Sequence, residues 1–205
     1  MYRRYALFEI LTVCTGNICR SPLAALLLST RLADLDAKVN SAGTRGLSSA
    51  RMTPEAQTLA LALGVDPKDA ASHRSRYLIE LHLLTPDLIL TMTREHRRAV
   101  LELAPSRLRS TFTVREFARL AAPLSGDELR DAADEAGADA AARVRAAAAL
   151  VASLRGVALP PTEPVEDDVI DPYRRPWSTY QESAAQLVPA LGEVMRVVRL
   201  AVDHS

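Results

Sequence analysis

A thiol and a guanidinium lie six residues apart on one short segment near the start of the chain, where residues 13–22 are VCTGNICRSP. A thiolate is a strong nucleophile, and a helix N-terminus together with a cation can lower a cysteine pKa from about 8.5 to roughly 3.5–7.5. The planar guanidinium of Arg20 can bind two oxygens of a phosphate at once. We therefore expect Cys14 to be the nucleophile and Arg20 the anion-binding group of a phosphoryl-transfer site.

The residues on either side predict that this segment is a turn from a strand into a helix. Residues 7–13 are short, mostly apolar and partly β-branched, as in a strand. Pro22 suits the first position of a helix, and residues 23–32 are good helix formers. The amides of such a turn point inward at the positive end of the helix dipole, where an anion binds.

The other residues of the turn are predicted to hold the phosphate and to support the turn. Gly16 permits a tight backbone bend, Asn17 can bond the loop to itself, and Ser21 can donate its hydroxyl to the Cys14 sulfur. The residues expected to contact the substrate here are Thr15, Gly16, Asn17, Ile18, Cys19 and Ser21.

A proton donor is also needed, because displacement of a phosphate ester leaves an alkoxide or a phenoxide. Asp171, in the segment Ile170-Asp171-Pro172-Tyr173, is the candidate, since Pro172 favours an extended backbone that can hold the carboxyl over a pocket. Asp171 would protonate the leaving group and then activate water. The alternative is an ordinary turn aspartate before proline, and Tyr173 either flanks the pocket or packs.

These motifs resemble the low-molecular-weight protein tyrosine phosphatase family. The resemblance rests on residues 14–22 and 171–173 and continues through residues 41–44, 72–76 and 87–92 to His96, so that it covers roughly residues 7–115 and 167–202. It implies that Cys14 is the nucleophile, Arg20 the phosphate-binding residue and Asp171 the general acid. It also implies that His73 is a buried histidine that supports the loop through Asn17.

The order of predicted elements indicates an α/β fold: an open, doubly wound, four-stranded parallel sheet with helices on both faces. Strands are predicted at residues 7–13, 38–42, 87–92 and 110–114, and helices at 22–32, 53–64, 76–84, 93–103 and 178–202, where Pro189 should bend the last helix or mark its start. We expect one domain over residues 1–205 that carries an extra helical insertion.

The insertion is predicted at about residues 120–168. Ser125 and Glu128 form a capping-box pattern, Gly137 should end that helix, and an alanine-rich helix follows to Gly156. The proline- and acid-rich residues 160–168 are predicted to be a stiff, solvated connector. The insertion could be a lid, a partner surface or padding.

Composition excludes several functional classes. Lys and Arg number 25, as do Asp and Glu, so no basic footprint for nucleic acid is expected. No apolar run predicts a membrane span. Cys14 and Cys19, the two cysteines, cannot form a thiolate metal site, so we expect neither metal nor cofactor and predict the reducing cytoplasm.

The two cysteines could form a reversible disulfide, or Cys19 could simply fill space under the loop. His82 and His96 are expected to be structural or solvated.

The substrate is less clearly encoded. The resemblance implies a phosphotyrosine-bearing protein or an aryl phosphate, yet Leu47 stands where an aromatic pocket wall is expected and the chain has only three Phe, five Tyr and one Trp. Ile18 lacks the hydroxyl that a phosphoarginine phosphatase would favour at that loop position, which favours an aryl ester. Two alternatives remain: an arsenate reductase that uses an external thiol, and a non-catalytic phosphopeptide-binding module.

Overall fold

The computed structural model describes residues 8–46 and 48–203. Four parallel strands in these residues form one sheet: β1 (Phe8–Cys14), β2 (Ala37–Gly43), β3 (Leu88–Thr91) and β4 (Thr111–Thr113), in the spatial order β2-β1-β3-β4. The predicted open parallel sheet is confirmed, with small shifts in the strand bounds. Leu7, where the first strand was predicted to begin, lies outside the described residues.

Both faces of the sheet are covered, which explains why its central strands are apolar throughout. All four residues of β3 are buried. On one face Ile10 and Leu90 belong to a large core, and on the other face Leu11 and Ile89 belong to a smaller one. This two-sided packing confirms the doubly wound arrangement.

Eight α-helices occur within the described ranges, and short 3₁₀ turns separate some of them. The α-helices are α1 (Arg20–Arg31), α2 (Pro54–Ala62), α3 (Pro67–Ser72), α4 (Arg94–Leu103), α5 (Val114–Ala121), α6 (Gly126–Glu135), α7 (Ala140–Ser153) and α8 (Trp177–Val202). Side-chain oxygens of Thr53, Thr93 and Ser125 cap α2, α4 and α6, as their sequences predict.

One predicted helix is absent from the described part of the chain. Residues 76–84 contain only a 3₁₀ turn at Glu80–Leu83, because the backbone around Tyr77 extends the edge of β2: Gly43 donates its N–H to Arg76 O (3.0 Å) and accepts one from Leu78 (2.8 Å). Of the two alternatives for Pro189, the start of the last helix is wrong, because α8 begins at Trp177 and contains Pro189, whereas a bend at Pro189 stays a prediction.

The inserted helices are built into the main core. Both α6 and α7 pack against α8, and α7 also reaches β1 and β3. Val144, Ala147 and Val151 of α7 are buried in the same core as Ile10. Arg143 is buried and donates to Ala201 O (2.6 Å) and to Asp134 Oδ1 (2.6 Å), which fixes α7 to the end of α8. The helices therefore support the sheet.

No helix in the described part of the chain is long and apolar enough to cross a membrane.

Candidate active site

The phosphate loop, residues 14–20, connects β1 to α1 and surrounds the Cys14 sulfur with donors. Cys14 is 2% exposed. Its Sγ accepts the N–H of Asn17 at 3.3 Å and lies 3.0 Å from Ser21 Oγ. Hydrogen bonds to sulfur stabilise a thiolate more than a thiol. The loop thus gives the Cys14 sulfur two close hydrogen-bonding partners.

Asn17 fixes the shape of the loop from behind. Its φ of +55° places it in the left-handed region, which asparagine tolerates better than most residues. The side-chain nitrogen donates to Ser21 Oγ (3.0 Å) and to Ser41 Oγ (2.8 Å), and the side-chain oxygen accepts the N–H of Arg76 (3.0 Å). Asn17 and Ser21 are fully buried, so they hold the loop from its rear side rather than line the pocket.

His73 directly follows α3, and its side chain reaches the phosphate loop. Its Nε2 lies 2.8 Å from the carbonyl oxygen of Asn17, a bond that requires a proton on Nε2. Burial, with smaller contributions from Arg74 and Arg76, lowers the pKa of His73. The family resemblance implies a buried histidine, whereas His73 is only half-buried because it sits at the exposed end of a short helix.

Arg20 connects the two halves of the site. The residue is 4% exposed, and its Nη1 donates to the carbonyl oxygen of Val169 at 2.9 Å. Its Nη2 lies 2.5 Å from Asp171 Oδ2 and 3.4 Å from Thr15 Oγ1. The guanidinium therefore spans from the phosphate loop to the predicted general acid.

Residues 167–169, directly before Ile170 and Asp171, are anchored to the rest of the protein, whereas residues 162–166 are exposed as predicted. Asp167 is 8% exposed and pairs with Arg119 of α5 at 2.7 Å. Asp168 Oδ1 accepts the backbone N–H of Arg94 at 2.8 Å. Val169 donates its N–H to Met92 O, directly after β3, at 2.8 Å. The prediction of a solvated connector over residues 160–168 is wrong for Asp167 and Asp168, because their carboxylates bind cationic and N–H groups of α4 and α5.

Asp171 and Tyr173 complete the mouth of the pocket. Asp171 Oδ1 accepts the N–H of Tyr173 at 3.1 Å, and the Arg174 guanidinium lies 5.2 Å from the centre of the Tyr173 ring. The pocket has a volume of about 180 Å³ and is lined by Cys14, Thr15, Gly16, Ile18, Cys19, Arg20, Arg45, Asp171 and Tyr173. Sequence reasoning missed Arg45 in this set, and Leu47 lies outside the described residues.

Cys19 differs from Cys14 in its surroundings. Its Sγ lies 3.5 Å from Thr53 Oγ1 and 3.8 Å from Tyr180 Oη. Burial raises the pKa of Cys19 to about 11. Cys19 is therefore a protonated thiol at neutral pH. Both cysteines are free, and regulation by a disulfide between them stays a prediction.

His96 is a buried contact of the loop that sequence reasoning assigned to the structural or solvated histidines. It is 4% exposed, and its Nε2 lies 2.8 Å from Thr15 Oγ1. Burial first, then the charges of Arg20 and Arg45, lower the pKa of His96 to about 3. The ring is therefore neutral at physiological pH. Two sequence signals pointed to His96: its place four residues after a predicted strand that ends beside the loop, and its place among the landmarks of the family resemblance.

Among residues 8–46 and 48–203, no group of three or more His, Cys, Asp or Glu side chains is arranged to hold a metal ion. The arrangement at the pocket instead combines a thiol, a guanidinium and a carboxyl group. These groups meet at the carboxyl end of β1, in a parallel sheet of the kind that binds ligands at that end. Such a fold and site define a cysteine-dependent phosphatase.

Comparison with known proteins identifies the family. The family described as low molecular weight phosphotyrosine protein phosphatase matches residues 9–133, and the chain belongs to it. A protein-arginine-phosphatase of Geobacillus stearothermophilus is 34% identical over 110 residues, 54% of this chain and 71% of the relative. The low molecular weight protein-tyrosine-phosphatase Etp of Escherichia coli (strain K12) is 42% identical over 97 residues, 47% of this chain and 62% of Etp.

Solved structures share the fold over nearly the whole chain. The Erwinia amylovora tyrosine phosphatase amsI has a TM-score of 0.63 and 20% identity, with 95% of each chain covered. The YwlE arginine phosphatase of Geobacillus stearothermophilus has a TM-score of 0.64 and 23% identity, with 97% of this chain and 99% of that chain covered. The family match ends at residue 133, so Asp171 lies beyond it.

Proposed function

We propose that the protein hydrolyses phosphotyrosine in proteins through a cysteinyl-phosphate intermediate. The observation that carries the proposal is the contact of Arg20 with Asp171 at 2.5 Å over a pocket whose wall includes Cys14. Nucleophile, phosphate-binding cation and proton donor are thus within reach of one bound phosphate.

In the first step the Cys14 thiolate attacks phosphorus and forms a sulfur–phosphorus bond as the bond to the phenolic oxygen breaks. Arg20 and the loop amides bind the non-bridging oxygens, where charge must be held during phosphoryl transfer. The leaving phenoxide takes a proton from Asp171. The Asn17 N–H and the Ser21 hydroxyl stabilise the sulfur anion before and after each turnover.

In the second step Asp171 takes a proton from water, and the water oxygen attacks phosphorus. The sulfur–phosphorus bond breaks, Cys14 leaves as a thiolate and inorganic phosphate is released. Asp171 is left protonated; once phosphate has departed, it releases this proton to solvent and pairs with Arg20 again.

The ion pair between Arg20 and Asp171 belongs to the empty site. A phosphate dianion carries more charge than a carboxylate and matches the guanidinium in two places. We propose that the substrate displaces Asp171 from Arg20, and that the freed carboxylate takes up a proton from solvent, which it then donates to the leaving group. The half-exposed position of the Asp171 side chain allows that movement.

The pocket walls favour an aryl ester. Ile18 and Tyr173 offer apolar surface on which a phenyl ring can pack. Phosphoarginine is the second candidate, because two matched relatives are named protein-arginine-phosphatase. Ile18 has no hydroxyl to bind a guanidino group, and this favours phosphotyrosine. A free thiol nucleophile also suits a reducing compartment, so we propose the cytoplasm.

A substrate panel tests the proposal. Purified protein is assayed on para-nitrophenyl phosphate, phosphotyrosine peptide, phosphoserine peptide, phosphoarginine, and arsenate with an external thiol. We expect the highest kcat/KM on the phosphotyrosine peptide. A higher value on phosphoarginine would support the second candidate, turnover of arsenate alone would indicate a reductase, and binding of phosphopeptide with no turnover would indicate a binding module.

A further inference from the structure

We infer that His96 is a positioning residue of the phosphate pocket: its Nε2–H donates to Thr15 Oγ1 and so directs the Thr15 hydroxyl proton into the pocket. The inference rests on the proposed function and adds one donor to the site. Thr15 thereby contributes a side-chain hydrogen bond to a phosphate oxygen.

The geometry places His96 between a helix cap and the phosphate loop. His96 lies in the first turn of α4, where its Nδ1 is 2.9 Å from Thr93 Oγ1 and its Nε2 is 2.8 Å from Thr15 Oγ1. Both ring nitrogens thus have a hydroxyl partner, which fixes the plane of the ring. With only 4% of the residue exposed, water does not compete for these bonds.

The hydroxyl of Thr93 determines which ring nitrogen carries the proton. Thr93 Oγ1 already accepts the backbone N–H of His96 at 3.3 Å as the N-cap of α4, so its own proton is free to point at Nδ1. A neutral imidazole has one ring proton, which must then be on Nε2. The low pKa of His96 supports the neutral ring.

Thr15 Oγ1 consequently receives two donors. One is Nε2–H of His96, and the other is Nη2 of Arg20 at 3.4 Å. Neither of these groups can accept the Thr15 proton in this state. Because Thr15 lines the pocket beside Cys14, its O–H is left to donate to an anion bound there.

The test combines a double-mutant cycle with matched substitutions. His96→Met removes the ring donor, whereas His96→Gln keeps an amide N–H near the position of Nε2. Thr15→Val removes the hydroxyl, whereas Thr15→Ser keeps it. His82→Gln is the control, because His82 lies at the surface turn Glu80–Leu83, away from the pocket. Each variant is measured for kcat and KM on phosphotyrosine peptide, for inhibition by inorganic phosphate and for stability in urea.

We expect His96→Met and Thr15→Val each to lower kcat/KM by about tenfold to hundredfold, the size of one hydrogen bond to a charged group. The double variant should lose no more activity than the less active of the two single variants, because both changes remove the same interaction. Losses from His96→Gln and Thr15→Ser should be smaller, and His82→Gln should match the wild type. Additive losses at His96 and Thr15, or an equal loss for Gln and Met at position 96, would overturn the inference.

A second measurement is independent of folding defects and of turnover. The ring nitrogen shifts of His96 in the wild-type protein, measured by NMR, report its tautomer. We expect a proton on Nε2, and a proton on Nδ1 contradicts the inference. If the wild type hydrolyses no phosphate ester, the proposed function fails, while the effect of His96 and Thr15 on inorganic phosphate binding still tests this one.

Discussion

Arg20 is almost completely buried and has three partners, whereas the carboxyl of Asp171 that it contacts is about half exposed. The same contrast holds for the loops that carry them. Side-chain hydrogen bonds from Asn17, Ser21 and Ser41 fix the phosphate loop from within. The aspartate loop, residues 167–173, is anchored to the rest of the protein through residues that precede Asp171, namely Asp167, Asp168, Val169 and Ile170.

In the proposed mechanism this difference corresponds to two tasks. A phosphate must be held in one geometry, so the loop that binds it gains from a rigid, fully bonded interior. A proton donor must change partners during the cycle, from Arg20 to the leaving group and then to water. Strong anchors upstream of a half-exposed carboxyl permit such a change without loss of position.

Replacement of the nucleophile is the most severe test of the rigid loop. We expect Cys14→Ser to lower hydrolysis by roughly 10⁴ or more, because a serine hydroxyl stays protonated where a thiol ionises. Binding of inorganic phosphate, measured by calorimetry, should persist since Arg20 and the loop amides are unchanged. Cys19→Ser serves as the comparison and should retain turnover. Undiminished hydrolysis by Cys14→Ser would remove Cys14 from the mechanism.

Replacement of Asp171 tests the proposed proton donor and its change of partners during the cycle. Asp171→Asn should lower kcat on the order of 10²–10⁴, the usual contribution of a positioned acid or base, and most strongly for poor leaving groups. The same change should tighten inhibition by inorganic phosphate, because no carboxylate competes for Arg20. Rates and inhibition constants across a series of aryl phosphates check both expectations. A rate loss of under tenfold with a poor leaving group would require another donor.

The upstream anchor of the aspartate loop is tested at Asp167. Asp167→Asn weakens the pair with Arg119 and should lower kcat/KM by about tenfold to hundredfold, as small misplacements of a catalytic group do. Alkylation of Cys14 by iodoacetate should keep its wild-type rate, because the phosphate loop is untouched. Asp127→Asn breaks an exposed pair with Arg130 and is the matched control. Equal activity of the two variants would show that the anchor is not needed.

The dependence of stability on pH tests the two histidines that contact the phosphate loop. The folded pKa of His96 is about 3, against an unfolded value of about 6.5. Between these values the unfolded chain binds a proton that the folded chain does not, so stability falls as pH falls. The loss is about 2 kcal/mol between pH 6.5 and pH 5. His73, whose pKa is also lowered, adds to it with the same sign.

Urea unfolding of the wild type and of His96→Gln at pH 7, 6 and 5 checks this expectation. The variant should show the shallower dependence on pH, because glutamine does not titrate. Parallel curves for the two proteins would mean that His96 is accessible to protons in the folded state.

The parts of the molecule that sequence could predict are those with local causes. Cys14, Gly16 and Arg20 lie on one loop whose flanks signal a strand and a helix, so their juxtaposition follows from short-range rules. Thr53, Thr93 and Ser125 signal helix starts by the same local logic. Asp171 was found through its Asp-Pro motif together with the family resemblance.

The parts that sequence missed depend on contacts between distant residues. His96 meets Thr15 across 81 positions, and Asp167 meets Arg119 across 48. Arg45 enters the pocket wall only because β2 pairs with β1 so that Cys14 lies beside Gly43. Residues 76–84 have a helical composition, yet the edge of β2 recruits Tyr77 into a bridge. In each case a tertiary contact overrides the local pattern.

The burial of Arg143 has a consequence for any attempt to shorten this protein. Its guanidinium reaches Ala201 O and Asp134, so the added chain and the terminal helix share one hydrogen-bonded joint. Excision of residues 126–153 would uncover Val197, Val198 and Ala201, whose apolar surface would then face water. A shortened version of the enzyme therefore requires a redesigned α8, because the inserted helices α6 and α7 cover apolar residues of α8.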